Sequence, residues 1–171
     1  ANIFDSLKSQ LSGFRESRNW NLKYNFDYQP PDHGNALYST VNFDFTNQEH
    51  YEKAADLINQ GDNWLNAGNI KRMTNYSAFD KSLWFFVQDN ILNELIALSI
   101  SEYNEEVKQT DLDWIYVSPS HHGKGAGRFL IEKTIERCKA KSEDICVGGT
   151  VEFYRKCGFY DYELWVWAVK D

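Results

Sequence analysis

Cysteine, proline and methionine are all scarce in this 171-residue chain, at three, three and one. Cys138, Cys146 and Cys157 are odd in number and form no C-x-x-C pair. That speaks against a disulfide framework and a zinc knuckle, and makes a reducing cytosol the simplest home. No apolar run approaches the ~20 residues that cross a bilayer. The first residues also lack a basic stretch followed by an apolar one. The expectation is a soluble, cytoplasmic protein with no membrane partner. Internal repeats and low-complexity tracts are missing too. Basic residues are outnumbered, 18 Lys and Arg against 25 Asp and Glu, for a formal net charge of −7. An acidic field repels phosphate backbones and gathers cations, which argues against nucleic acid and leans toward an amine-bearing ligand, although ordinary solubility charge explains the same balance.

What is present suits one domain with a sizeable core. Residues 3–17 read as an amphipathic helix with Ile3, Phe4, Leu7, Leu11 and Phe14 on one side. An Asn- and aromatic-rich stretch follows to Pro30-Pro31-Asp32-His33-Gly34, so 1–35 is expected to be an N-terminal extension and 36–171 the main domain. Residues 36–45 alternate as a strand. Thr46-Asn47-Gln48-Glu49 offers a capping box for a helix carrying Tyr51, Ala54, Ala55 and Ile58, with Gly61 as its stop. Trp64, Leu65, Ile70 and Met73 hint at a second, weaker helix within 62–80. Ser82–Gln88 and Leu95–Ser101 read as a hairpin through Asp89-Asn90, and Leu112–Val117 as the next strand. An amphipathic helix with Ile131, Ile135 and Cys138, a strand at 145–147, a short helix at 151–156 and an aromatic strand at 162–169 complete the order.

The richest segment is Ile115-Tyr116-Val117-Ser118-Pro119-Ser120-His121-His122-Gly123-Lys124-Gly125-Ala126-Gly127-Arg128, a strand that breaks at proline into three spaced glycines and a helix. Glycines let the backbone turn with its N–H groups converging, and the helix N-terminus adds about half a positive charge, which makes a seat for an anion. The spacing is neither a dinucleotide fingerprint nor a Walker A loop, so hydride transfer and nucleotide hydrolysis lose ground. Lys124 and Arg128 leave the loop at its mouth and either add charge to a bound phosphate or are solvated bases. His121-His122 is a poor metal pair, since adjacent side chains point apart and no carboxylate spacing accompanies them; no metal is expected. Cys146 and Cys157 read as core thiols.

Leu112–Leu130, followed by Phe153-Tyr154-Arg155-Lys156-Cys157-Gly158-Phe159, resembles the GNAT superfamily of N-acetyltransferases. The family's pyrophosphate loop, Arg/Gln-x-x-Gly-x-Gly/Ala, lies on His122–Gly127, and its later Phe-Tyr-x-Lys-x-Gly-Phe block on 153–159. The resemblance covers roughly 36–171 by element order. It implies an α+β fold: a mixed, mostly antiparallel twisted sheet, a splayed parallel strand pair and helices on both faces. It also implies that acyl-CoA, most simply acetyl-CoA, enters the splay. Backbone from Gly123 through Lys124, Gly125, Ala126 and Gly127 to Arg128 would hold the pyrophosphate, and Ile115, Tyr116 and Val117 the pantetheine. Tyr154 matches the tyrosine that donates to the leaving sulfur, or is a core tyrosine. An amine of pKa ~10.4 needs a base at neutral pH. Asp111 is favoured, Asp113 follows on the same face at i+2, and Glu94 is a third candidate; the two aspartates also read as turn or edge residues, and the resemblance equally allows an ordered water relay in place of one base.

Two departures stand out. His122 occupies the Arg/Gln position, which makes that donor's charge depend on pH near ~6.5. Val147 stands where many relatives have an asparagine that contacts CoA, so the contact is either supplied by Gly148, Gly149 or Thr150 backbone or lost. The implied activity is transfer of acetyl from acetyl-CoA to a primary amine, on a small molecule or a protein, by direct attack in a ternary complex. The alternative is a non-catalytic GNAT-fold module that binds acyl-CoA or a partner. Homodimerisation through the C-terminal strand or the N-terminal segment stays open.

Overall fold

The computed structural model describes residues 14–31, 37–60, 65–149 and 151–170. The strands are β1 (Phe14–Tyr24), β2 (Tyr38–Asn42), β3 (Phe85–Asp89), β4 (Glu94–Asn104), β5 (Gln109–Val117), β6 (Asp144–Gly148) and β7 (Phe159–Lys170). The helices are α1 (Gln48–Asn59), α2 (Ala67–Met73), α3 (Ala126–Lys139) and α4 (Val151–Lys156). All seven strands join one sheet in the order β2-β3-β4-β5-β6-β1-β7. Every pairing is antiparallel except β5 with β6.

From β2 onward the elements follow the order that the periodicity predicts. The beginning does not. Residues 14–17 of the expected helix belong to β1, which pairs with both β6 and β7, and residues 1–13 lie outside the described residues. Trp20, Leu22 and Tyr24 recur at i, i+2, the strand period, and bury Leu22 and Tyr24 completely or nearly so. The long-range pairing overrides the helical reading at 14–17, and residues 14–24 of the stretch read as an extension supply an interior strand of the sheet.

Local chemistry sets the helix starts. Asn47, rather than Thr46, caps α1 by accepting from the Glu49 N–H at 2.9 Å, while the Thr46 hydroxyl donates to Asp44 instead. Asn66 and Asn69 form a reciprocal capping box at α2, whose Ile70 and Met73 are buried. The expected stop at Gly61 and the contribution of Trp64 lie outside the described residues.

Alternation along β3 sends side chains to two helical layers. Phe86 stacks on Phe43, which meets Tyr51 of α1 edge-on, whereas Phe85 carries the Arg137 guanidinium of α3 at 4.0 Å from its ring centre. Helices therefore cover both faces. Arg137 also donates to the Ser82 carbonyl and Asn42 Oδ1, and Lys141 reaches Asp80, so the end of α3 is tied to the start of β3. Burial alone would raise the Asp80 carboxyl, but Lys141 and the Ser82 hydroxyl and N–H outweigh it and hold the group below its ordinary 3.8. A depressed carboxylate pKa contributes stability above the unfolded value and loses it as pH falls through the folded one. Asp80→Ala should cost about 1–3 kcal/mol in denaturant unfolding at neutral pH. The gap to wild type should narrow below pH 3.8.

Candidate functional site

β5 and β6 run side by side only from Gln109↔Asp144 to Leu112↔Val147. Beyond Leu112, β5 continues to Val117 on the support of β4, while β6 stops at Gly148 and leaves through Gly149, whose φ is +116°. Among the described residues, the β6-facing edge of β5 from Asp113 to Val117 has no strand partner. Beside it lies a cavity of about 510 Å³ lined by Ile115, Val117, His121, His122, Gly123, Gly125, Gly127, Arg128, Phe153 and Tyr154.

The loop at one end of this cavity is built from a single 3-10 turn, Pro119–His121, and then the glycines. Gly123 and Gly125 take φ of +73° and +88°, which costs an L-residue about 1–2 kcal/mol. Gly127 answers a different need: a Cβ there would come 3.3 Å from the Phe153 ring and 3.8 Å from Val117, so its bareness lets α3 lie against α4 and β5. No side chain caps α3 at Gly125. Its first-turn N–H groups and dipole are thus available to an anion. Lys124 is exposed, and its carbonyl accepts from the Tyr38 hydroxyl at 3.0 Å. His122 Nε2 lies 2.9 Å from the Val117 carbonyl, which can only accept, so that nitrogen carries a proton and is spent on the end of β5.

Tyr154 forms part of the opposite wall. Its ring packs edge-on against Phe153 and Phe159, and burial, with Cys157 beside it, pushes its hydroxyl up to about 12. Burial also raises Cys157 and Cys146 to about 11 and Cys138 to about 12, so all three thiols keep their protons at neutral pH.

Three acids gather where the strands begin to part. Asp111 sits directly opposite Glu102 of β4. The register then jumps from Leu112↔Ser101 to Trp114↔Ile100, which makes Asp113 the extra residue of a β-bulge. Asp111, opposite Glu102, and Trp114, opposite Ile100, lie on one face of the sheet, and the bulge takes Asp113 out of simple alternation between Leu112 and Trp114. Electrostatics couples the two aspartates. Desolvation raises both Asp111 and Asp113 above 3.8, and Asp111 adds to the rise at Asp113. Gln109, donating to both Asp111 oxygens, offsets part of its shift. Glu102 is raised by desolvation and then by Asp113 and Asp111.

Beyond the bulge, Trp114 and Tyr116 stack at 6.4 Å and pair with Ile100 and Leu98, on the α1 side of the sheet, while Ile115 and Val117 face α3. Glu94 lies at the far end of β4, roughly 26 Å along the strand from Glu102, and is not brought to these acids. Glu102 was not singled out from sequence, since an acid in Ser101-Glu102-Tyr103 reads as a strand-end charge until the register sets it against Asp111. Val147 is buried in β6, and Thr150 lies outside the described residues. Among the described residues no group of three or more His, Cys, Asp or Glu gathers as a metal site, and no helix is long and apolar enough to cross a membrane.

A mixed sheet with a splayed parallel pair, a glycine loop feeding α3 and a tyrosine from α4 is the architecture of GNAT-fold proteins. Residues 80–161 match the family model described as the acetyltransferase (GNAT) domain. The fold is similar to that of a GCN5-related N-acetyltransferase from Sphaerobacter thermophilus, with TM-score 0.75 at 13% identity over 99% of this chain and 56% of that one. A GCN5-related N-acetyltransferase from Kribbella flavida gives TM-score 0.69 at 13% identity over 100% and 65%. A spermidine N-acetyltransferase mutant from Vibrio cholerae gives TM-score 0.60 at 19% identity over 75% and 83%. The chain thus spans less than two thirds of the first two. No curated protein matches it in sequence.

The buried hydroxyl of Tyr154 should remain protonated where ordinary tyrosines, near 10.0, have ionised. A Tyr154→Phe difference titration by ultraviolet absorbance should show no missing tyrosinate below pH 11; loss of a signal near pH 10 would contradict its burial.

Proposed function

We propose that this chain is an acyl-CoA-dependent N-acyltransferase that moves an acetyl group from acetyl-CoA to a primary amine by direct attack. The single observation that carries the reading is that β6 leaves β5 beyond Leu112, so that the parted edge runs from the acid cluster to a glycine loop at a helix N-terminus. Pantetheine is an extended chain with amides and pairs with such an edge as an added strand would. The pyrophosphate then meets the N–H groups from Gly123 to Arg128, with Lys124 and Arg128 at hand for its charge. The thioester comes to rest between Tyr154 and the acids at the start of the splay.

In the reaction the amine nitrogen attacks the thioester carbonyl carbon, a C–N bond forms, and the C–S bond breaks as the tetrahedral intermediate collapses. A hydroxyl with pKa about 12 does not hand its proton outright to a thiolate of ordinary pKa near ~8.5. Tyr154 instead donates a hydrogen bond to sulfur as negative charge grows there, and the proton comes from the ammonium formed by the attack. Asp111 or Asp113 accepts the proton that frees the amine beforehand, and the raised pKa of each brings it closer to that task. The buried, protonated thiols offer no acyl-enzyme nucleophile, which supports a ternary complex. The acidic cluster with Trp114 and Tyr116 suits a cationic acceptor, free or part of a protein. His122, with Nε2 committed to Val117, favours the competing reading of a module that binds acyl-CoA without turnover.

Free-thiol release from acetyl-CoA across a panel of amines distinguishes the two readings: tight binding with no amine-dependent release would sink the enzyme. Tyr154→Phe should lower kcat by about 10²-fold while leaving acetyl-CoA binding intact. Because both aspartates are raised, kcat/KM should fall as pH drops toward values still above 3.8. Asn at the residue that acts as base should abolish that acidic limb.

A further inference from the structure

The glycine loop is held from outside by a cluster that the chemistry above does not use. His121, at the last position of the 3-10 turn, is only 6% exposed and is one of the residues that line the cavity. Its Nε2 lies 3.3 Å from Asp89 Oδ2, and its Nδ1 2.9 Å from Ser120 Oγ, which in turn lies 3.0 Å from Ser118 Oγ. Asp89 cannot swing freely. Its Oδ1 accepts the Ile91 and Leu92 N–H groups at 2.8 and 3.0 Å, so the turn between β3 and β4 orients the other oxygen toward the histidine. Asp89 is also the direct register partner of Tyr38, the residue whose hydroxyl holds the Lys124 carbonyl. Two facing residues of β2 and β3 therefore grip the loop at its entry and at its middle.

We propose that His121 is a positioning residue for the pyrophosphate loop, and that the Asp89–His121 pair with the Tyr38–Lys124 bond sets the loop for CoA before CoA arrives. This rests on the reading of the loop as the seat of the pyrophosphate. Two left-handed glycines within three residues leave the free chain many other conformations, and an anion that had to select one would lose affinity for it. The clamp moves that ordering cost from binding to folding. It binds nothing itself, and it lies at the pyrophosphate end of the wedge, away from Tyr154 and the acids.

The test uses three variants. His121→Phe keeps a ring and removes both polar contacts, Asp89→Asn keeps the oxygen that serves the turn but alters the one facing His121, and Tyr38→Phe removes only the hydroxyl on Lys124. Amide hydrogen exchange of the free protein should quicken about tenfold or more from His122 to Arg128 in each, with β4 unchanged. The dissociation constant for CoA by calorimetry should rise about tenfold. In turnover the loss should appear in KM for acetyl-CoA with kcat within about twofold, and His121→Gln should recover part of it. Unchanged exchange at the loop overturns the proposal, and so does faster exchange with unchanged CoA affinity. If the wild type binds no CoA, the reading of the site has failed, and exchange alone decides whether the clamp exists.

Discussion

A parallel strand pair that stops pairing after Leu112↔Val147 is the constraint on which the rest of the site depends. Were β6 to stay beside β5 as far as Val117, every peptide group of that edge would be satisfied within the protein, and no extended ligand could enter. The parting depends on its neighbours. β4 holds β5 along its whole length, so β5 keeps its shape without β6. On the other side β1 pairs with β6 as far as Gly148, so the strand that withdraws is still anchored in the sheet. Gly149 then turns the chain into α4, which carries Phe153 and Tyr154 back to the opening.

The electrostatics of the opening follows from that geometry. At one end an uncapped helix N-terminus offers positive potential without a buried side-chain charge. At the other, Glu102, Asp111 and Asp113 crowd where the bulge in β5 adds a residue, and their proximity with desolvation favours uptake of a proton or a cation. Tyr154 between apolar rings stays neutral and keeps its donor hydrogen. The site is polarised along β5, with an uncapped helix N-terminus after Val117 and an acidic patch before Trp114.

Much of this was legible in the sequence, for particular reasons. The elements from β2 onward could be read because each carries its own period, and Gly123, Gly125 and Gly127 because only a special backbone path calls for three glycines so spaced. Their roles still divided in a way the spacing does not show. Two supply left-handed turns, and the third makes room for a ring from α4. β1 was misread because its period-2 signal is confined to Trp20, Leu22 and Tyr24, behind a segment with helical spacing, and its partners lie more than a hundred residues further on. The bulge at Asp113 is invisible to alternation, because it exists only where β5 pairs with β4.

The sequence by itself determined the local events: where helices cap, where the loop must bend backward, and which tyrosine follows Phe153. Those depend on neighbours a few residues apart, and the chain carries that information directly. Only the tertiary structure decided that Glu102 faces Asp111, that Asp89 reaches His121 and that Tyr38 holds Lys124, because each contact joins segments whose distance is set by strand register. Register is a property of paired strands and of the bulges that shift them, and no single strand specifies it alone.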